Sequence, residues 1–113
     1  MLVARKEFAQ KYPVATKRAL RAVLKAADIC ADDPERAAKF MAAKSYEPRY
    51  ELGLKVLKSL PYRRWRDANP EDTMRFYSLR LHEAGIINSD SRKIIAQGTD
   101  WRFLNELKLE LKS

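Results

Sequence analysis

Pro13-Val14-Ala15-Thr16-Lys17-Arg18-Ala19-Leu20-Arg21-Ala22-Val23-Leu24-Lys25-Ala26-Ala27-Asp28-Ile29-Cys30-Ala31 is the stretch that decides the fold class. Within it Leu20, Val23, Leu24, Ala27, Cys30 and Ala31 recur at intervals that keep them on one face of an α-helix. Lys17, Arg18, Arg21 and Lys25 lie on the other side. Pro13 suits the first turn, where its missing N–H costs nothing. The spacing predicts a helix over 13–31, preceded by a short opening piece over 4–12.

Downstream the same grammar repeats. In Asp32-Asp33-Pro34-Glu35, Asp33 is a cap, Pro34 a first helical residue and Glu35 a complement to the helix dipole. That helix is expected to reach Lys44 with Ala37, Ala38 and Met41 inward. A further helix is expected over 48–60, with Leu52, Val56, Leu57 and Leu60 as its stripe and Gly53 permitting a close contact. Residues 61–66, Pro61-Tyr62-Arg63-Arg64-Trp65-Arg66, read as a loop. Asn69-Pro70-Glu71-Asp72 opens a helix through Met74, Tyr77, Leu81 and Ala84, ended by Gly85 as a left-handed cap. Ser89 or Asp90 caps a brief helix to Gly98, and Thr99 or Asp100 caps the last, with Trp101, Leu104, Leu107 and Leu111 on one face. No stretch alternates with period two for long enough to make a strand. The fold class predicted is all-α: a compact orthogonal bundle of five to seven helices in a single domain over 1–113.

Composition agrees with a folded chain. Its 113 residues are 46% apolar and 34% charged, with three Gly and five Pro, which suits a modest core and few breaks. The net charge of +8 brings nucleic acid or an anionic surface into consideration. Residues 1–66 hold 16 basic and 7 acidic groups, or +9; residues 67–113 hold 7 and 8, or −1. No run approaches the ~18 apolar residues of a membrane span. The opening Met1-Leu2-Val3-Ala4-Arg5-Lys6 is too short for the core of a secretory signal; as written it predicts a cytoplasmic chain.

Catalytic parts are not in evidence. Cys30 stands alone, which makes neither a disulfide nor a metal site, and reads as a small buried apolar residue. His82, the single histidine, has no visible partner or pocket for acid–base work. Asp32-Asp33 and Glu71-Asp72 stand at helix starts, where capping accounts for them. No catalytic, cofactor-binding or metal-binding residues are assigned, and no cofactor is expected. One cluster could carry binding chemistry. Arg63, Arg64 and Arg66 around Trp65 could pair with phosphates while the indole stacks on a base. Alternatively, such a loop anchors its aromatic in a core with Arg at the rim. The basic stripe of Lys17, Arg18, Arg21 and Lys25 would matter to binding if it continued in space into this cluster.

Three stretches carry a family resemblance. They are Tyr12–Ala22 with Lys25–Asp28; Leu60–Trp65 followed by Asn69–Thr73; and Lys93–Lys108, which reads Lys93-Ile94-Ile95-Ala96-Gln97-Gly98-Thr99-Asp100-Trp101-Arg102-Phe103-Leu104-Asn105-Glu106-Leu107-Lys108. Read in order, they resemble the C-terminal part of bacterial periplasmic substrate-binding proteins of ABC transporters, of the nitrate, sulfonate and taurine class that includes proteins related to thiamine-pyrimidine synthesis. The likeness spans about Phe8 to Lys112, the third stretch being the most specific. It implies a parent of two α/β lobes joined by a hinge, holding a small ligand in the cleft and delivering it to a permease. It implies a periplasmic, non-catalytic transport component. It places no ligand-contacting residue on this sequence, and does not imply that this part binds ligand alone. Helices that pack on a sheet in such a parent would have apolar stripes to cover, from which an isolated chain is expected to pair with itself as a symmetric dimer. A small basic helical nucleic-acid-binding protein, using Arg63, Arg64, Trp65 and Arg66, is the alternative.

Overall fold

The computed structural model describes residues 2–112. Among them are seven α-helices, one 3-10 turn and no strand, so the all-α expectation stands. In chain order they are α1 (Lys6–Lys11), α2 (Pro13–Asp32), α3 (Pro34–Ala43), α4 (Tyr50–Ser59), the 3-10 turn (Tyr62–Arg66), α5 (Pro70–Glu83), α6 (Ser91–Gly98) and α7 (Arg102–Glu110). The chain divides into two compact units, Met1–Arg66 and Asp67–Ser113.

Local chemistry sets most of the boundaries. The Asp33 carboxylate accepts from the Arg36 N–H at 3.1 Å, and Pro34 follows at the first helical position. Asn69 Oδ1 accepts from the Glu71 N–H at 3.1 Å, again with Pro next. Asp90 rather than Ser89 caps α6, accepting from the Lys93 N–H at 2.9 Å. Asp100 accepts from the Arg102 N–H at 3.1 Å, while the Thr99 hydroxyl turns back to the Ile95 carbonyl at 2.6 Å. Each bond satisfies a helix-end group that has no partner inside the helix.

In the first unit, α3 packs on α4, and α2 packs against α1, α3, α4 and the 3-10 turn. The buried apolar side chains are Leu24, Ala38 and Leu57. α2 buries Leu24 and half-buries Leu20, Ala27, Cys30 and Ala31, but Val23 stands 51% exposed. On α4 the inward residues are Gly53 and Leu57, whereas Leu52, Val56 and Leu60 are exposed. Only part of each expected stripe is therefore used. α4 itself begins at Tyr50, because Glu47 ties the preceding turn by accepting from both the N–H and the guanidinium of Arg49. Gly53 is not required by crowding, since an added Cβ would sit 3.6 Å from the Glu47 side chain.

In the second unit α5 packs on α6. Leu107 of α7 is fully buried. On α5, Tyr77 and Leu81 are exposed and Ser78 is buried, its hydroxyl donating to the Arg75 carbonyl at 3.2 Å. α7 reaches the start of α5 through Lys108, whose Nζ donates to the Ala68 carbonyl at 3.3 Å. Gly85 has φ +73°, as its place after α5 predicts.

Candidate functional site

Residues 61–66 are not an irregular loop. Tyr62–Arg66 winds into a 3-10 turn, with the Arg64 N–H bonded to the Pro61 carbonyl at 3.0 Å. The turn lies against α2, and Asp28 is what it meets. Arg66 donates to both carboxylate oxygens of Asp28, at 2.5 and 2.7 Å, and Trp65 Nε1 donates to one of them at 3.2 Å. The Arg66 guanidinium also lies 4.2 Å from the centroid of the Trp65 ring. A bidentate guanidinium–carboxylate pair is among the stronger polar contacts a protein makes. Here both partners are only 22% exposed, which limits competition from water. The Arg66 bonds hold the Asp28 carboxyl below its ordinary value, helped by Trp65 and opposed by partial burial.

The four residues with nucleic-acid potential thus divide. Trp65 and Arg66 are half-buried and turned to Asp28. Arg63 pairs with Asp32, one helical turn further along α2, where both side chains remain more than half exposed. Arg64 is exposed and, among the described residues, makes no side-chain bond of this kind. The structure brings the cluster together, but around two aspartates of α2, and the indole face is shared with Arg66. Asp28 was not singled out as a binding partner by sequence reading. No local spacing connects residues 37 and 38 positions apart, so no pattern could have found it.

The basic stripe of α2 shares its side with this turn. Arg21 and Asp28 are seven residues apart, two helical turns, and Lys25 lies between them. Arg18 and Lys25 are exposed, while Lys17 and Arg21 are half-buried.

His82 is exposed on α5, and Cys30 is a free, half-buried thiol on α2. Among the described residues, no group of three His, Cys, Asp or Glu side chains could hold a metal ion. No helix of the described residues is long and apolar enough to cross a membrane. The second unit has a shallow cleft of about 270 Å³, lined in part by Asp67, Asn69, Glu71, Trp101, Asn105 and Lys108. The Trp101 indole N–H beside it is buried without a protein partner. Acidic, basic and amide groups meet there, with no nucleophile beside a base. Comparison with known protein families, with curated proteins and with solved structures finds no match for this chain.

Proposed function

We propose that the chain is the C-terminal helical part of a substrate-binding protein of an ABC transporter, a non-catalytic component acting with a small-molecule ligand and a permease. One observation carries the reading. The three resembling stretches occur in order along nearly the whole chain, and the first two meet in space. Asp28 closes the first stretch and Trp65 closes the core of the second, and the two are hydrogen-bonded at 3.2 Å. The third stretch includes Asp100 and Arg102, joined by a guanidinium–carboxylate pair at the start of α7. Residues that carry the likeness are therefore ones the fold uses, which is what descent from a common fold would preserve.

The test is the DNA directly upstream. An in-frame segment coding for a first α/β lobe and an export signal, beside permease and ATPase genes, is the expected result. Unrelated genes on both sides and no such segment would overturn it.

A second reading, binding to nucleic acid, has in its favour that the basic side of α2 and the arginine turn adjoin. It has against it that Arg63 and Arg66 are paired with aspartates. Phosphate contacts release counterions, so binding of this kind weakens steeply with salt. A steep salt slope for a DNA or RNA duplex, reduced in an Arg64→Ala/Lys25→Ala variant, would favour it over the transporter reading.

A further inference from the structure

We infer that the elbow between α1 and α2, with the side of α2 that continues from it, is a surface that docks on an anionic lipid bilayer. The elbow is fixed by the chain's own bonds. The Tyr12 N–H donates to the Phe8 carbonyl at 2.8 Å, and the Tyr12 carbonyl accepts from the N–H and the hydroxyl of Thr16 at 3.0 and 2.8 Å. Apolar side chains nevertheless stand in water around it. Phe8 is 47%, Tyr12 46% and Val14 63% exposed, and the two rings lie 5.2 Å apart. Lys11 Nζ sits 5.4 Å from the centre of the Tyr12 ring. A shallow cleft of about 540 Å³ opens there, lined by Lys11, Tyr12, Pro13, Val14, Ala15 and Arg18.

Charge says what would cover it. Between positions 5 and 25 the basic side chains of Arg5, Lys6, Lys11, Arg18 and Lys25 are exposed, against a single acid, Glu7, which pairs with Arg5. Further along α2, Asp28 and Asp32 are taken by Arg66 and Arg63. The contacts that hold the 3-10 turn thus occupy the nearest carboxylates that could have neutralised the basic side of the helix. A bilayer interface rich in anionic headgroups attracts cations and takes up aromatic and aliphatic groups at nearly the same depth. Both kinds of group meet at the elbow.

The surface continues along the helix. Val14, Arg18, Lys25 and Ile29 follow at intervals of four, seven and four residues, and all four are exposed. At 3.6 residues per turn they fall within about 60° of one another around the axis, and the helix rises about 22 Å from the first to the last. Phe8, Tyr12, Val14 and Ile29 would enter the boundary between headgroups and acyl chains. The Lys and Arg stems would lie along it and keep their charges at the phosphates. Nucleic acid is the poorer fit, because Val14 and Ile29 offer neither a donor to a phosphate nor a plane to a base. The inference stands apart from the transporter reading, since it concerns neither the ligand nor the permease.

Co-sedimentation of the full chain with vesicles tests it, using phosphatidylcholine alone and phosphatidylcholine mixed with phosphatidylglycerol in equal parts. Binding to the mixed vesicles and not to the neutral ones is expected. Each cation removed should weaken it about fivefold, so Lys11→Ala/Arg18→Ala should lose about 25-fold, with the far-UV circular dichroism unchanged. Phe8→Ser/Val14→Ser should weaken binding as well, and leave the remainder more sensitive to salt. In a Cys30→Ala background, an environment-sensitive dye on Val14→Cys should shift to the blue on the mixed vesicles. The same dye on Lys55→Cys should not, because position 55 lies on the side of α4 away from the buried Gly53 and Leu57. The dye keeps the test decisive should a paired variant unfold. No binding to the mixed vesicles, equal binding to both kinds, indifference to Lys11→Ala/Arg18→Ala, or equal blue shifts at positions 14 and 55 would each overturn the inference. So would tighter binding to a DNA duplex than to vesicles, unaffected by Phe8→Ser/Val14→Ser, which would assign the surface to nucleic acid.

Discussion

The two units differ in their long-range polar contacts: a bidentate ion pair with an indole N–H in the first, and a single lysine-to-carbonyl bond in the second. In the first, Asp28 of α2 receives Trp65 and Arg66 from 37 and 38 residues away, a clasp that exists only when the chain is folded. In the second, Arg75 pairs with Glu71 and Asp72, Arg80 with Glu83, and Arg102 with Asp100, each within four residues, while Lys108 donates to the Ala68 carbonyl from 40 residues away. A local pair forms almost as readily in a fraying helix as in a folded unit, so it adds little to cooperativity. A long-range pair closes a loop and is lost all at once. Where the first unit buries the apolar side chains of Leu24, Ala38 and Leu57, the second has, among the described residues, one buried apolar side chain, Leu107.

The largest effect should come from that side chain. Leu107→Ala removes buried methyl groups and leaves a cavity, costing about 3 kcal/mol. Hydrogen exchange should show the amides of α5 to α7 losing protection. Equal loss in α2 to α4 would break the distinction between the units.

Asp28→Ala should come next, at about 2 kcal/mol, because it strips charge-assisted bonds from a half-buried guanidinium and an indole. Trp65 emission should shift toward the red as its environment opens. Arg66→Ala should add little on top, since the two act as one pair. A pH dependence goes with the clasp. Folding lowers the Asp28 pKa below its ordinary 3.8, so the unfolded chain takes up the proton first. The contribution is therefore full well above pH 3.8 and disappears as pH falls through the lower, folded-state value. Acid titration of Asp28→Ala should lack this component.

A subtler contrast lies in how α3 and α5 end. Both finish with a 6→1 bond, Tyr46 N–H to the Met41 carbonyl and Ile86 N–H to the Leu81 carbonyl, each 3.0 Å. Both need one residue with positive φ. The second unit uses Gly85 at +73°; the first uses Ser45 at +59°. Open space surrounds Gly85, so Gly85→Ala should cost about 1 kcal/mol through backbone strain alone. Ser45→Gly should relieve a similar strain and gain up to about 1 kcal/mol, less the added freedom of the unfolded chain. Thermal melts that shift in the same direction for both would refute the account.

The smallest effect should be that of Arg75→Ala. Its pairs lie on the surface of α5, and such pairs contribute less than about 1 kcal/mol. A change as large as that of Asp28→Ala would erase the contrast between local and long-range pairing.

Sequence alone determined the helices, because their signals are local. Pro13, Asp33-Pro34, Asn69-Pro70, Asp90 and Gly85 each act within a few residues of themselves, through a missing N–H, a capping oxygen or a permitted positive φ. The left-handed Ser45 escaped notice because serine does not announce that conformation. The gathering of Arg63, Trp65 and Arg66 was legible as a cluster, but its orientation was not. Only tertiary structure decided that Asp28 and Asp32 would meet it, since a carboxylate far away in sequence leaves no periodic trace. Tertiary structure likewise decided which apolar face of α2 is covered. A helix with small residues on two sides satisfies the 3.6-residue pattern twice, and only the packing of its neighbours chooses Leu24 for the inside and leaves Val23 in water.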